Sequence, residues 1–100
     1  MVFRGDGVQK DEKIGAQWLV IAARRGNAVA QNRVARLFAT GRGVAEDKVE
    51  ALKWHILAVK GGKPDEWLDA FAARQAAASR ADAEKRAAAF TPETPPAPPE

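Results

Sequence analysis

One feature limits what this chain can fold into more than any other: a stretch of it occurs twice. Gly5-Asp6-Gly7-Val8 is echoed by Gly41-Arg42-Gly43-Val44, Asp11 by Asp47, Trp18 by Trp54 and Ala22 by Ala58, each pair 36 residues apart. A fixed period of this size marks an architecture in which one supersecondary unit is repeated and each copy buries its apolar face against the next. The rest of the chain must be whatever stacks on that unit.

The period of the apolar residues within each copy is helical. Asp11 and Glu12 suit the positive N-terminal end of a helix and Arg24 and Arg25 its negative C-terminal end, with Gly26 to stop it. The spacing therefore predicts a helix over 11–25. It is apolar on nearly every side, from Ile14 through Trp18, Leu19, Val20 and Ile21 to Ala23, and is expected to be buried on more than one side. Residues 1–10 are too short and glycine-rich for a helix of their own, and Phe3 falls where the repeat places Ala39, so the pattern enters mid-repeat.

Asn27 is a good N-cap for a second helix, 28–40, whose Ala30, Val34, Leu37 and Phe38 follow the i, i+4, i+7, i+8 pattern. Asn32, Arg33 and Arg36 fall on its other side. Gly41–Glu46 is a tight connection. Asp47, with Glu50 three residues on, resembles a capping box opening the second Trp-bearing helix, and Gly61-Gly62 ends it. Pro64, Asp65 and Glu66 open a helix over roughly 64–78 with Trp67, Leu68, Phe71 and Ala72 on its apolar edge. Ser79 is expected to cap a last helix, 80–90, with Ala83, Ala87 and Phe90 on one stripe. The proline-rich end, 91–100, suits neither helix nor central strand and reads as an extended, disordered tail. No segment carries a strand signal. The expected fold is all-α: a helix-turn-helix α-solenoid over 1–62 with capping helices over 63–90.

Composition sharpens this in two ways. Much of the 46% hydrophobic content is alanine and only 7% of residues are aromatic, so the core must come from close helix approach rather than bulky side chains. The chain has no cysteine, which excludes a disulfide framework and a thiolate metal site. The N-terminal residues contain no apolar run of the signal-peptide kind, and the longest one, Ile14–Ala23, is broken by Gln17 and too short to span a bilayer. A cytoplasmic location is the default expectation, with no membrane contact.

Taken together, these residues resemble the Sel1-like repeat, a relative of the tetratricopeptide repeat. One full unit runs from Ala28 to Gly62 through Ala30-Gln31, Val34-Ala35, Phe38, Gly41, Gly43-Val44, Asp47, Ala51, Trp54 and Ala58. A partial unit precedes it through Gly5, Gly7-Val8, Asp11, Trp18, Ala22-Ala23 and Gly26. Val34, Ala35 and Phe38 replace the family's usual Leu, Gly and Tyr, and Gly15 stands where a helix Ala is usual, at a cost of roughly 1 kcal/mol. The resemblance implies a binding scaffold or adaptor for protein–protein interaction, with no catalytic residue among the repeat positions and no cofactor. It also implies that the first helix of a repeat lines the partner-facing side. Here that is 28–40, which makes Asn32, Arg33, Arg36 and Thr40 the candidate partner surface.

Other chemistry is less well supported by the pattern. The two Gly-x-Gly-Val loops lack the third glycine, preceding strand or following Lys-Ser/Thr of a phosphate cradle, and read as turns. His55 is the only histidine, and its counterpart one repeat earlier is Leu19, which suits packing or surface rather than a metal site or a catalytic base. Trp18, Trp54 and Trp67 could offer a stacking platform, but the periodic recurrence of the first two marks core packing. The net charge of +3 is scattered, so a nucleic-acid or other acidic partner is the less favoured alternative. The P-x-x-P spacings within 92–99 have acidic flanks and read as a spacer. Finally, the 11–25 helix has little before it to cover Trp18, Leu19, Val20 and Ile21. Part of it should face water, and either self-association through it or a preceding repeat in a longer natural chain is expected to cover it.

Overall fold

The inner helices of this chain are bounded by short-range hydrogen bonds that their own end residues make. A computed structural model describes residues 5–92, and over those residues it contains five helices and no strand: α1 (Gly5–Arg24), α2 (Ala28–Thr40), α3 (Lys48–Lys60), α4 (Glu66–Ala73) and α5 (Ala77–Ala89). Asn27 caps α2, its side-chain oxygen accepting from the Ala30 N–H at 3.0 Å. Asp47 caps α3 in the same way, accepting from the Glu50 N–H at 3.0 Å. The Glu50 carboxylate does not complete a capping box; it reaches Arg86 of α5 at 2.9 Å. The repeat is also written into the helix ends. Gly26 and Gly62 both take positive φ (96° and 92°), and the residue after each donates back to an alanine carbonyl, Asn27 to Ala22 and Lys63 to Ala58.

α2 packs between α1 and α3, and α5 lies along α3. The core joins Ala23 of α1 to Ala30, Val34, Ala35 and Ala39 of α2, Ala51, Leu52 and Trp54 of α3, Leu68 and Phe71 of α4, and Ala83 of α5. Small residues let the backbones approach. A Cβ at Gly61 would come within 2.6 Å of the Ala28 Cβ, and one at Gly43 within 2.6 Å of the Glu12 carbonyl oxygen. Gln31, almost fully buried, ties α2 to the end of α1 by donating to the Ala23 carbonyl at 3.1 Å.

The structure corrects several expectations. α1 does not start at Asp11; it starts at Gly5, so the first Gly-x-Gly-Val, Gly5 to Val8, is helical and not a turn. The second copy turns because Gly41 and Gly43 adopt positive φ and the returning chain is held by the Asp47 N–H on the Phe38 carbonyl. The first copy keeps a helical backbone through both of its glycines. Nor is α1 buried on several sides: Ala16 and Ala23 are buried, while Ile14, Trp18 and Ile21 are exposed. Trp18 is therefore not a core residue, whereas Trp54, at 3% exposure, is.

At the other end, the predicted helix 64–78 is the eight-residue α4, capped by Asp65 rather than opened by Pro64, and it stops at Arg74. α5 begins at Ala77 with Ala76 as an N-cap that supplies no side-chain bond, so Ser79 lies inside the helix instead of capping it. The Ala83, Ala87 and Phe90 stripe does face inward, with Phe90 edge-on to Trp54 at 5.5 Å between ring centroids. Among the described residues no helix is long and apolar enough to cross a membrane. The expectations for Phe3 and for the tail beyond Pro92 lie outside the described residues.

Candidate protein-binding groove

Where α1, α2 and α4 diverge they leave an open groove of about 380 Å³. Its α1 side is Glu12, Gly15, Ala16 and Leu19; its α2 side is Arg36, Leu37 and Thr40; Arg42 and Trp67 stand at its rim. Gly15 shapes the floor. In the next repeat the same position is Ala51, fully buried, but a Cβ at Gly15 would meet nothing within 4 Å. The missing methyl is missing toward open space.

One wall is held in place by a polar clamp. Asp65, whose side chain is only 6% exposed, caps α4 by accepting from the Leu68 N–H at 3.2 Å. The same carboxylate accepts two bonds from Arg36, at 2.7 and 2.9 Å, and one from the Asn32 amide at 2.8 Å. The Arg36 guanidinium, aided by Asn32 and the Leu68 N–H, holds the Asp65 carboxyl well below the usual carboxylate range, against the opposing pull of its burial. Arg36 then lies over the Trp67 ring, 5.2 Å from its centroid, and Trp67 stacks on Phe71 with centroids 5.9 Å apart. Arg42 pairs with Glu12 across the other end of the groove.

The four candidate partner residues do not share one role. Arg36 and Thr40 line the groove, and the Thr40 hydroxyl donates to the Arg36 carbonyl at 2.8 Å. Asn32 and Arg36, expected to point away from the fold, are instead engaged by Asp65 and so serve packing of α4 on α2. Arg33 is exposed and is not part of the groove lining. Trp67, Arg42, Leu19 and Leu37 were not marked by the sequence as groove residues. The one local signal was Gly15, a glycine standing in an alanine position. His55 is buried, with its Nε2 2.8 Å from an Asp69 oxygen and its Nδ1 unpartnered among the described residues. Among those residues no group of three His, Cys, Asp or Glu side chains is placed to hold a metal ion.

The lining thus offers carbon surface, one aromatic face and two guanidinium groups already paired with carboxylates. Comparison with known families gives two adjacent matches to the Sel1 repeat, over residues 1–27 and 28–63. No curated protein and no solved structure matches the chain.

Proposed function

Because the chain belongs to the Sel1 repeat family, whose repeats are generally protein–protein interaction modules, we propose that it is a non-catalytic scaffold that holds a segment of a protein partner in the groove between α1, α2 and α4. The observation that carries this reading is the open space at Gly15 in a groove that Trp67 also lines. An apolar trough with an aromatic side and a few placed polar groups is the usual form of a recognition site. Arg36 and Thr40 contact the partner directly in this reading, Arg33 extends the surface along α2, and Asn32 fixes Arg36 through Asp65. Residues 63–90 close the repeat pair. Pairing of Arg36, Arg42 and Arg86 with carboxylates leaves less free positive charge for phosphates, which favours a protein partner over nucleic acid.

The test is to fill the groove without disturbing the fold. Gly15→Leu projects a side chain into open space and should fold like the parent by circular dichroism. A protein captured by the wild-type chain should be lost from Gly15→Leu and kept by Trp18→Glu, which is exposed and outside the groove lining. Equal capture by all three overturns the groove as the binding site.

A further inference from the structure

The 36-residue correspondence sets Trp18 and Ala22 of α1 on Trp54 and Ala58 of α3. In α3 that line is covered: Trp54 is 3% exposed and Ala58 is fully buried. In α1 it is open. Trp18 is 69% exposed, and Ile21, three residues on, is exposed as well. A shallow groove of about 440 Å³ leads from Trp18 and Ile21 past Ala22 and Arg25 to Gly26 and Asn27. Pro92, the last described residue, stands at this end of the groove. Its Cβ and Cγ lie 3.5 and 3.7 Å from the position that a Cβ at Gly26 would take.

We propose that the segment that follows Pro92, residues 93–100, folds back into this groove and lies across Trp18, closing the open side of α1. The place where the chain leaves the fold selects this occupant: the segment starts beside a residue that lines the groove. Its length fits. The eight residues 93–100 reach roughly 25 Å in the extended proline-rich form, at about 3.1 Å each. The path from Gly26 back to Trp18 is about 12 Å of helix rise. Its composition fits as well. Pro95 and Pro98, and Pro96 and Pro99, are each three residues apart, so on a three-residue turn each pair lies along one edge. Such edges seat on exposed aromatic rings at low entropic cost, because the extended form is set before binding. The charge also agrees in sign. Glu93, the first residue beyond Pro92, enters beside Arg24 and Arg25, both exposed at the end of α1. Tethering supplies the remainder. A short link gives an effective concentration on the order of millimolar, so a contact too weak to hold a free peptide is filled within one chain.

The test reads each tryptophan separately. The full chain carrying 5-fluorotryptophan gives one fluorine resonance for each of Trp18, Trp54 and Trp67, and Trp18→Phe identifies the first. Ending the chain at Pro92 should move the Trp18 resonance toward that of the free amino acid. The Trp54 and Trp67 resonances should stay in place, which also shows that the fold is intact. Replacing Pro95, Pro96, Pro98 and Pro99 by serine keeps length and charge and should have the same effect. In the full chain the Trp18 resonance should not move on dilution, because the contact lies within one molecule. An unmoved Trp18 resonance after truncation, or a serine variant identical to the parent, would overturn the proposal. So would a full-chain Trp18 resonance that moves on dilution, the mark of a second copy as the occupant.

Discussion

α1 and α3 carry the same tryptophan in the same register and treat it in opposite ways. Trp54 is enclosed by α2, by the Phe90 ring edge-on and by the Lys53 ammonium 4.3 Å from its centroid; Trp18 stands two-thirds in solvent. The glycines at the loop position differ too: Gly43 is left-handed and pressed on α1, while Gly7 lies inside a helix. A repeat motif is therefore a statement about what a residue can do once its neighbours are in place. Burial is a property of the pair of surfaces: α3 packs on α2 and on α5, whereas α1 packs chiefly on α2.

The widest gap should appear in the tryptophans themselves. Trp54→Ala is expected to cost roughly 3–5 kcal/mol, enough to unfold much of a small domain, since it removes the largest side chain of an alanine-built core. Trp18→Ala in the monomer should stay within about 0.5 kcal/mol. Denaturant melts of the two variants at low concentration measure the difference; equal costs would erase the distinction between the helices.

A smaller effect is expected at the clamp that joins α4 to the repeats. Asp65→Ala should cost about 2–3 kcal/mol, a lost N-cap plus lost charged hydrogen bonds. Because Arg36 is half exposed, added salt should weaken part of this contribution. The Asp65 carboxyl ionises more readily in the fold than in the unfolded chain, so its stabilisation is complete above the ordinary carboxylate range and is lost as pH falls below about 4. Acid melts should show a steeper loss for the parent than for Asp65→Asn. Parallel curves would mean that the pair is not formed in solution.

The glycines give the smallest effects, and of opposite sign. Gly43→Ala should destabilise by about 1–3 kcal/mol, from a positive φ and a methyl forced onto the Glu12 carbonyl. Gly15→Ala should stabilise by about 0.5–1 kcal/mol, because α1 is helical there and the methyl meets nothing. Thermal melts showing the same sign for both would contradict the difference in their surroundings.

Much of the fold could be read from the chain because its punctuation is short-range. Asn27 and Asp47 bond three residues ahead, and Gly26, Gly41 and Gly62 take their φ from the turn they close; each decision is made within one helical turn. The start of α1, the early stop of α4 and the start of α5 at Ala77 fall where such residues are ambiguous, as with Ser79, which can cap or sit in a helix. The groove was less legible still. In sequence Arg36 has the character of a free surface cation, because its partner Asp65 lies 29 residues away and itself suits the first turn of a helix.

The repeat period, the all-α class, the two Trp helices and the caps follow from local spacing, since a helix and its ends are settled by residues within a few positions of one another. Which tryptophan is buried, where α4 leans and how Gly15 opens a groove depend on helices far apart in the chain approaching to a chosen distance. Packing energy is set by surfaces that meet in space, and spacing along one helix carries no record of them.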